Sequence, residues 1–473
     1  MATPHLEKGT LLDGFTIGDR VHKGGMAYLY SVTHPEHDLA MLMKVPVLNE
    51  GEDPAAIVSF EMEQMILPRL SGPHVPRFIA AGDFAVQPYL VYERIPGETL
   101  YKSLDVLPLP AEQVAAIGAK VATALNDLHR QHVVHLDVKP SNIILRPDTG
   151  LAVLIDFGLS HHGQLPDLMF EEFRLPYGTA PYMAPEQVYG IRTDPRSDLF
   201  ALGALMYFFA TGVRPFGDPQ SLKGLQRRVW WDPIPPRKLK TDIPPWLQEI
   251  ILRCLSADPE GRHPTAAQLA FDLTHPEQVA LTPRAHKLER DAWSARVKRR
   301  FHPDSYRPSL QRTRQVSAAV DGAPIVAVAI DLSESEADLI EALRTTVKRV
   351  MLTVPEARLA CLNVLKGNII AIDQTLDSEG HNVHVQRLVQ LKDWARTLDL
   401  PADRISYHVL EAMDAGAAIL DYISNNAVDH IVLGARTSAV LRNILGSVSL
   451  EIVQKAPCTV TVVRKSRRGE AKE

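Results

Sequence analysis

VVHLDVKPSNIIL, residues Val133 to Leu145, decides how this sequence is read. After His135 come Asp137, Lys139 and Asn142: a carboxylate, an ammonium and an amide at short, regular steps. A carboxylate can take a proton from a hydroxyl. An ammonium can neutralise charge that develops during a reaction. An amide oxygen can help to hold a hard divalent cation. Any one of these residues alone would be an ordinary surface group. Together they ask for partners elsewhere in the chain.

The partners follow in order. Phosphoryl transfer from ATP needs a cover for the phosphates, a cation to hold them, oxygen ligands for Mg²⁺ and a base for the acceptor hydroxyl. Lys44 ends the apolar strand LAMLMKV. Glu63 lies on the helix expected over residues 55–70, one turn from Phe60 and Leu67, so it faces inward and can pair with Lys44; Glu61 is the runner-up. In YLVYERIPGETL, Glu93 and Ile95 sit where a linker between lobes would offer backbone to adenine. Asp156-Phe157-Gly158 follows a strand of Ala152–Ile155, and GTAPYMAPE spans Gly178 to Glu186.

This set resembles the eukaryotic-type Ser/Thr protein kinases of bacteria, over about residues 12–275. The resemblance implies a bilobal α+β fold, ATP and Mg²⁺ as cofactors, and protein substrates with Ser/Thr acceptors. It assigns Asp137 as catalytic base and Lys139 as the cation on the transferred group. Asn142 and Asp156 become the metal ligands, and Lys44–Glu63 the activating ion pair. Val21, Lys23, Gly24, Gly25, Ala27 and Leu29 become the cover over the nucleotide, with Glu93 and Ile95 at the adenine edge. Asp198 and Arg262 match internal braces, Arg262 toward Glu186. The cover departs from the family pattern: VHKGGMAYLY has His22 at the first of three glycine positions and Ala27 at the third. Glycine suits close approach of backbone to phosphate, so a pseudokinase scaffold that binds nucleotide without turnover is the competing reading.

A second departure is Leu136. Many kinases carry an arginine there, which pairs with a phosphate on the activation loop. Phosphate brings about −1.5 to −2 charge and needs cationic partners to order a loop. The loop here, GLSHHGQLPDLMFEEFRLPY, has Ser160 and Tyr177 but no threonine at the usual switch position. Reader and mark are both missing. The sequence therefore predicts a loop ordered without phosphorylation, by packing of Leu168, Met169 and Phe170.

The chain has 473 residues, too many for one ordinary core. Hydrophobic content of 45% and charged content of 23% are those of a globular protein. A net charge of −5 gives no field that would gather nucleic acid or an acidic membrane. Three widely spaced cysteines read as reduced thiols, and no apolar run suits a signal core or a membrane span. The expectation is a soluble cytoplasmic protein.

Residues 276–321 are rich in Pro and Arg and read as a basic linker with one short helix near Glu289–Arg300. From residue 322 to 466 five strands alternate with four helices, the pattern of a doubly wound parallel sheet, before a charged tail at 467–473. Asp331 follows the first strand, Gly434 ends the fourth, and Gly446-Ser447 opens the last helix, where N–H groups favour an anion. This stretch resembles the universal stress protein family. The resemblance implies a nucleotide contacted by Asp331, Gly434, Arg436, Gly446 and Ser447, or alternatively a homodimerisation module in which Gly446-Ser447 merely caps a helix. Thr437 stands where the second glycine of the nucleotide loop belongs.

Overall fold

The computed structural model describes residues 6–24, 26–48, 54–173, 176–291, 294, 323–332, 337–366, 382–401, 403–435 and 446–464. The chain opens with antiparallel strands β1 (Leu11–Leu12), β2 (Phe15–Lys23), β3 (Ala27–His34) and β4 (His37–Pro46). Helix α1 (Pro54–Ile66) follows, then β5 (Phe78–Gly82) and β6 (Tyr89–Glu93), in the sheet order β1-β2-β3-β4-β6-β5. Alternation drives these strands: Phe15, Ile17, Tyr30, Val32, Met41, Met43 and Val91 turn to one buried face. Register in β4 places Lys44 opposite Leu90 of β6, so the lysine points into the cleft beneath the sheet's end.

The larger lobe is built on α2 (Ala111–His129), whose Val114, Val121, Leu125 and Leu128 recur at helical spacing and are fully buried. Burying each such side chain contributes about 1.5–3 kcal/mol. Short strands β7 (Val133–Val134), β8 (Ile143–Leu145), β9 (Ala152–Leu154) and β10 (His161–His162) carry the catalytic and activation segments. Then come α3 (Leu168–Glu172), α4 (Pro185–Val188), α5 (Arg196–Thr211), α6 (Leu222–Gln226), α7 (Pro236–Leu239), α8 (Pro245–Cys254) and α9 (Ala266–Thr274). Helix α5 is apolar nearly all round and forms the lobe's central post. It ends at Gly212, whose φ of 73° a residue with a side chain would adopt only under strain.

Beyond residue 275 the chain stays packed on the lobe for a dozen residues. Ala285 is fully buried, Thr282 and Arg284 bond Glu249 of α8, and Gln248 binds backbone carbonyls of residues 284, 285 and 287. The first part of the expected linker is thus a strap on α8, held by its own Thr and Arg. The helix expected near Glu289–Arg300 lies largely outside the described residues.

The second domain runs β11 (Ile325–Ala329), α10 (Ala337–Thr353), β12 (Arg358–Lys366), α11 (Val383–Arg396), β13 (Ile405–Ala412), α12 (Ala415–Asn425), β14 (His430–Gly434), α13 (Ser447–Lys455) and β15 (Thr459–Val463). All pairings are parallel, in the order β13-β12-β11-β14-β15. The central strand β11 reads as an unbroken apolar run, and β12 carries the apolar stretch Leu359–Leu362, because helices cover both faces. Among the described residues, no helix is long and apolar enough to cross a membrane.

Candidate active site

Two backbone features set the cleft. Leu136 adopts φ 62°, a conformation a leucine takes only when its surroundings impose it. The Asp198 carboxylate imposes it, accepting the N–H of His135 at 2.9 Å and of Leu136 at 2.8 Å, while His129 Nε2 lies 2.9 Å away. Asp198 is fully buried on α5, so the loop hangs from the lobe's central post. Asp156 has φ 68°, and Phe157 behind it is fully buried against the His135 ring.

From these features the side chains converge. Asp137 Oδ2 accepts from Lys139 Nζ at 2.6 Å and Asp137 Oδ1 from the Thr179 hydroxyl at 2.7 Å. Lys139 also donates to Thr179 Oγ1 at 3.1 Å. Asn142 spends its amide N–H groups on Asp137, at the carbonyl (3.0 Å) and the carboxylate (3.1 Å). That orientation leaves its amide oxygen as the donor atom for a cation. Across the cleft, Lys44 Nζ donates to Glu63 Oε2 at 2.5 Å and to Asp156 Oδ1 at 2.9 Å. Lys44 draws the Asp156 carboxyl below the usual carboxylate range. Burial opposes the Lys44 charge, but Asp156 and Glu63 more than offset it. Glu61 points the other way along α1, to Lys392 of the second domain.

The cover is a hairpin of β2 and β3. Gly24 N–H donates to Ala27 C=O at 2.9 Å, and a Cβ at Gly24 would stand 3.3 Å from that oxygen. Val21 and Lys23 are exposed, Leu29 is half-buried and Ala27 is buried; Gly25 lies outside the described residues. At the edge where adenine is expected, Ile95 is buried, and the Glu93 carboxylate is tied to Arg146.

One carboxylate and one amide form an oxygen set of the kind Mg²⁺ uses when phosphates complete its shell. Among the described residues no larger cluster of metal-ligating side chains occurs. The tight turn at Gly24 and the Lys44 ammonium suit a triphosphate beneath the hairpin.

Ser160, the hydroxyl the loop offers earliest, is fully buried and donates to His135 C=O at 3.1 Å. Leu168 and Met169 are buried, as expected, but Phe170 is 40% exposed and does not pack the loop. Ionic contacts missed in the sequence do more. Arg192 donates to Asp167 at 2.7 Å and to Leu159 C=O at 2.9 Å. Asp167 caps α3 and meets His161 at 3.1 Å. Burial would raise the Asp167 carboxyl, but Arg192 and His161 hold it well below its ordinary value. Arg228, buried without a carboxylate, donates to the carbonyls of Ala180, Met183 and Leu225 and fixes the chain just after Thr179. Only the acidic doublet inside LMFEEF could have flagged this region, since carboxylates are unusual in an apolar helix.

In the second domain Asp331 is exposed at the end of β11. Gly434 ends β14, where a Cβ would press on Leu339 and Leu343 at 3.2–3.3 Å, so close packing alone accounts for this glycine. Gly446 is the N-cap of α13, and Ser449 rather than Ser447 reaches Gly434 C=O, at 3.1 Å. Arg436 and Thr437 lie outside the described residues.

Residues 15–272 match the family model described as protein kinase domain, and residues 324–464 match that of the universal stress protein family. A probable serine/threonine-protein kinase of Clostridium perfringens is 31% identical over 255 residues, 54% of this chain and 37% of the relative. The serine/threonine-protein kinase PknB of Mycobacterium leprae is 30% identical over 275 residues, 57% of this chain and 43% of the relative. The chain thus spans less than half the length of these relatives. The crystallised kinase domain of Mycobacterium tuberculosis PknI aligns with a TM-score of 0.45 at 24% identity, over 57% of this chain and 99% of that one. The chain belongs to the protein kinase family and carries, after its kinase domain, a domain of the universal stress protein family.

Proposed function

We propose that this protein transfers the γ-phosphate of ATP to Ser/Thr hydroxyls of protein substrates, with Mg²⁺, in the cytoplasm. The observation that carries the reading is the cluster in which Asp137, Lys139, Thr179 and Asn142 interlock while Lys44, Glu63 and Asp156 close the opposite wall. Bound MgATP supplies the transferable group and neutralises its charge. Asp137 orients the acceptor hydroxyl and takes its proton. Lys139 balances negative charge on the transferred group, and its bond to Thr179 ties that charge to the segment that receives a Ser/Thr side chain. Asn142 and Asp156 hold the cation. Lys44, steadied by Glu63, binds phosphate beneath the Gly24 turn, and Val21, Ala27, Leu29 and Ile95 enclose the adenine. Pre-set dipoles and charges of this kind act most strongly in a site that excludes water.

Incubating the protein with labelled ATP, Mg²⁺ and casein tests this. Transfer that disappears in Asp137→Ala supports the reading. Nucleotide binding without transfer to itself or to casein makes the chain a scaffold instead.

Residues 322–466 are proposed as a regulatory domain. A nucleotide held near Asp331, Gly434, Gly446, Ser447 and Arg436 is the expected signal. Calorimetry of the full chain with Lys44 and Asp156 replaced by Ala, which removes the kinase cleft's phosphate and metal contacts, would detect a second nucleotide site. Absence of heat at millimolar nucleotide would remove this part of the reading.

A further inference from the structure

The activation segment is gripped from outside the kinase domain. Helix α3 lies between α1 and β13, the edge strand of the second domain. Its two carboxylates, Glu171 and Glu172, are each only 4–5% exposed at the side chain. Arg358 of β12 donates to both oxygens of Glu171, at 2.5 and 3.3 Å. Tyr422 of α12 donates its hydroxyl to Glu171 at 2.8 Å. His408 of β13, fully buried, places Nε2 at 3.0 Å from Glu171 and Nδ1 at 3.0 Å from Glu172. Among the described residues, the side-chain cations that neutralise α3 therefore come from the second domain.

The same domain reaches α1. Lys392 donates to Glu61 at 2.6 Å and covers the Phe84 ring. Glu61 and Glu63 are two residues apart, about 200° round a helix. One is held by the second domain while the other holds Lys44. Helix α1 is thereby pinned on both sides with its catalytic glutamate turned inward.

A five-residue helix has no independent stability in water. Two buried carboxylates without counter-charges would move out to solvent. We propose that the universal-stress-type domain is the built-in activator of this kinase. Arg358, His408 and Tyr422 bind the Glu171-Glu172 doublet, where other kinases use a phosphate and an arginine, and Lys392 locks α1. The lock replaces the reader lost at Leu136. This rests on the kinase reading above.

The test uses the full-length chain and its Arg358→Ala, His408→Gln and Lys392→Ala variants. Transfer to casein is measured together with hydrogen exchange over residues 54–66 and 168–172. Release of the lock should lower the rate roughly 5–150-fold, the usual range for coupled sites. Protection should fall in those two stretches and persist in α2 and α5. The charge-swapped pair Arg358→Glu with Glu171→Arg should recover activity relative to either single change. Rates within about twofold of wild type despite a freed segment, or a rate that rises, overturn the proposal. If Arg358→Ala or His408→Gln loses protection in α2 and α5, Lys392→Ala, at a half-buried position, decides by the same criteria. A wild type without transfer would remove the kinase reading itself. An active wild type with indifferent variants removes only the lock.

Discussion

The catalytic loop and the activation segment are neighbours held by opposite means. The loop is wired within its own lobe. Asp198 holds the His135 and Leu136 N–H groups, Gln187 donates to Leu136 C=O at 2.8 Å, and Asn142 ties back to Asp137. Around α3, among the described residues, the segment is braced from its own lobe at Asp167, by Arg192 and His161, while the cations on Glu171 and Glu172 belong to a domain more than 150 residues downstream. Groups that do chemistry need a geometry that does not vary. Groups that gate it are drawn from less stable parts of a fold, where a contact can be made or lost.

Breaking the loop's wiring should have the largest effect. Asp198→Ala leaves two buried N–H groups without an acceptor, each worth about 1–3 kcal/mol, so stability should fall by about 2–6 kcal/mol in denaturant unfolding. A loss under about 1 kcal/mol would mean that the loop holds itself. Removing chemistry without wiring comes next. Asp137→Asn, which keeps an acceptor oxygen for its neighbours, should lower turnover by about 10²–10³-fold with the unfolding midpoint little changed, since the lost charge acts in the transition state. A smaller drop would place the base elsewhere.

The segment's own brace should matter less. Arg192→Ala removes a charge-assisted bond of about 1.5–3 kcal/mol. Because the second domain still grips α3, the rate should fall by no more than about tenfold. Combined with Arg358→Ala the loss should exceed the product of the single effects. Simple multiplication would show the two braces to be independent.

Acidity offers a gentler probe. Burial disfavours a charged His408, but Glu171 and Glu172 outweigh it and push its pKa up to about 9. Burial likewise opposes the Glu171 charge, yet Arg358 and His408 hold its pKa down to about 2. Other groups facing this site are Ser406 on β13, Tyr422 on α12 and Arg358 on β12, with His384 acting on Glu172. A histidine with a raised pKa contributes fully below its unfolded value and loses that contribution as pH rises through about 9. Glu171 contributes above the ordinary carboxylate range and ceases only as pH falls through about 2. The rate advantage of wild type over His408→Gln should therefore hold at neutral pH and vanish above about 9. An advantage unchanged at pH 10 would separate His408 from the grip.

The smallest effect is expected at Ser160. Its hydroxyl is buried on His135 C=O, so Ser160→Ala should cost about 1 kcal/mol of stability and leave the rate within about twofold. Phosphosite mapping should find no phosphate there. Stoichiometric phosphate at Ser160 would show that the segment opens and is switched in the ordinary way.

The sequence by itself determined the two folds and the contents of the cleft. Lys44, Asp137, Lys139, Asn142 and Asp156 stood out because the chemistry fixes both their types and their spacing in short segments. The alternating strands and helices of residues 322–466 were legible because burial imposes a period on each element. Tertiary structure alone decided the rest. Glu63 and Glu61 share one helix, and packing chose which meets Lys44 and which meets Lys392. Phe170 has the apolarity of its neighbours Leu168 and Met169, yet the turn of α3 leaves it exposed. Residues 276–287 look like a tether, but Glu249 and Gln248 of α8 bind them down. Arg358 and Glu171 stand 187 residues apart. Nothing local marks such a pair, because its strength comes from burial and a distance of a few ångströms, and both arise only when two separately folded domains meet.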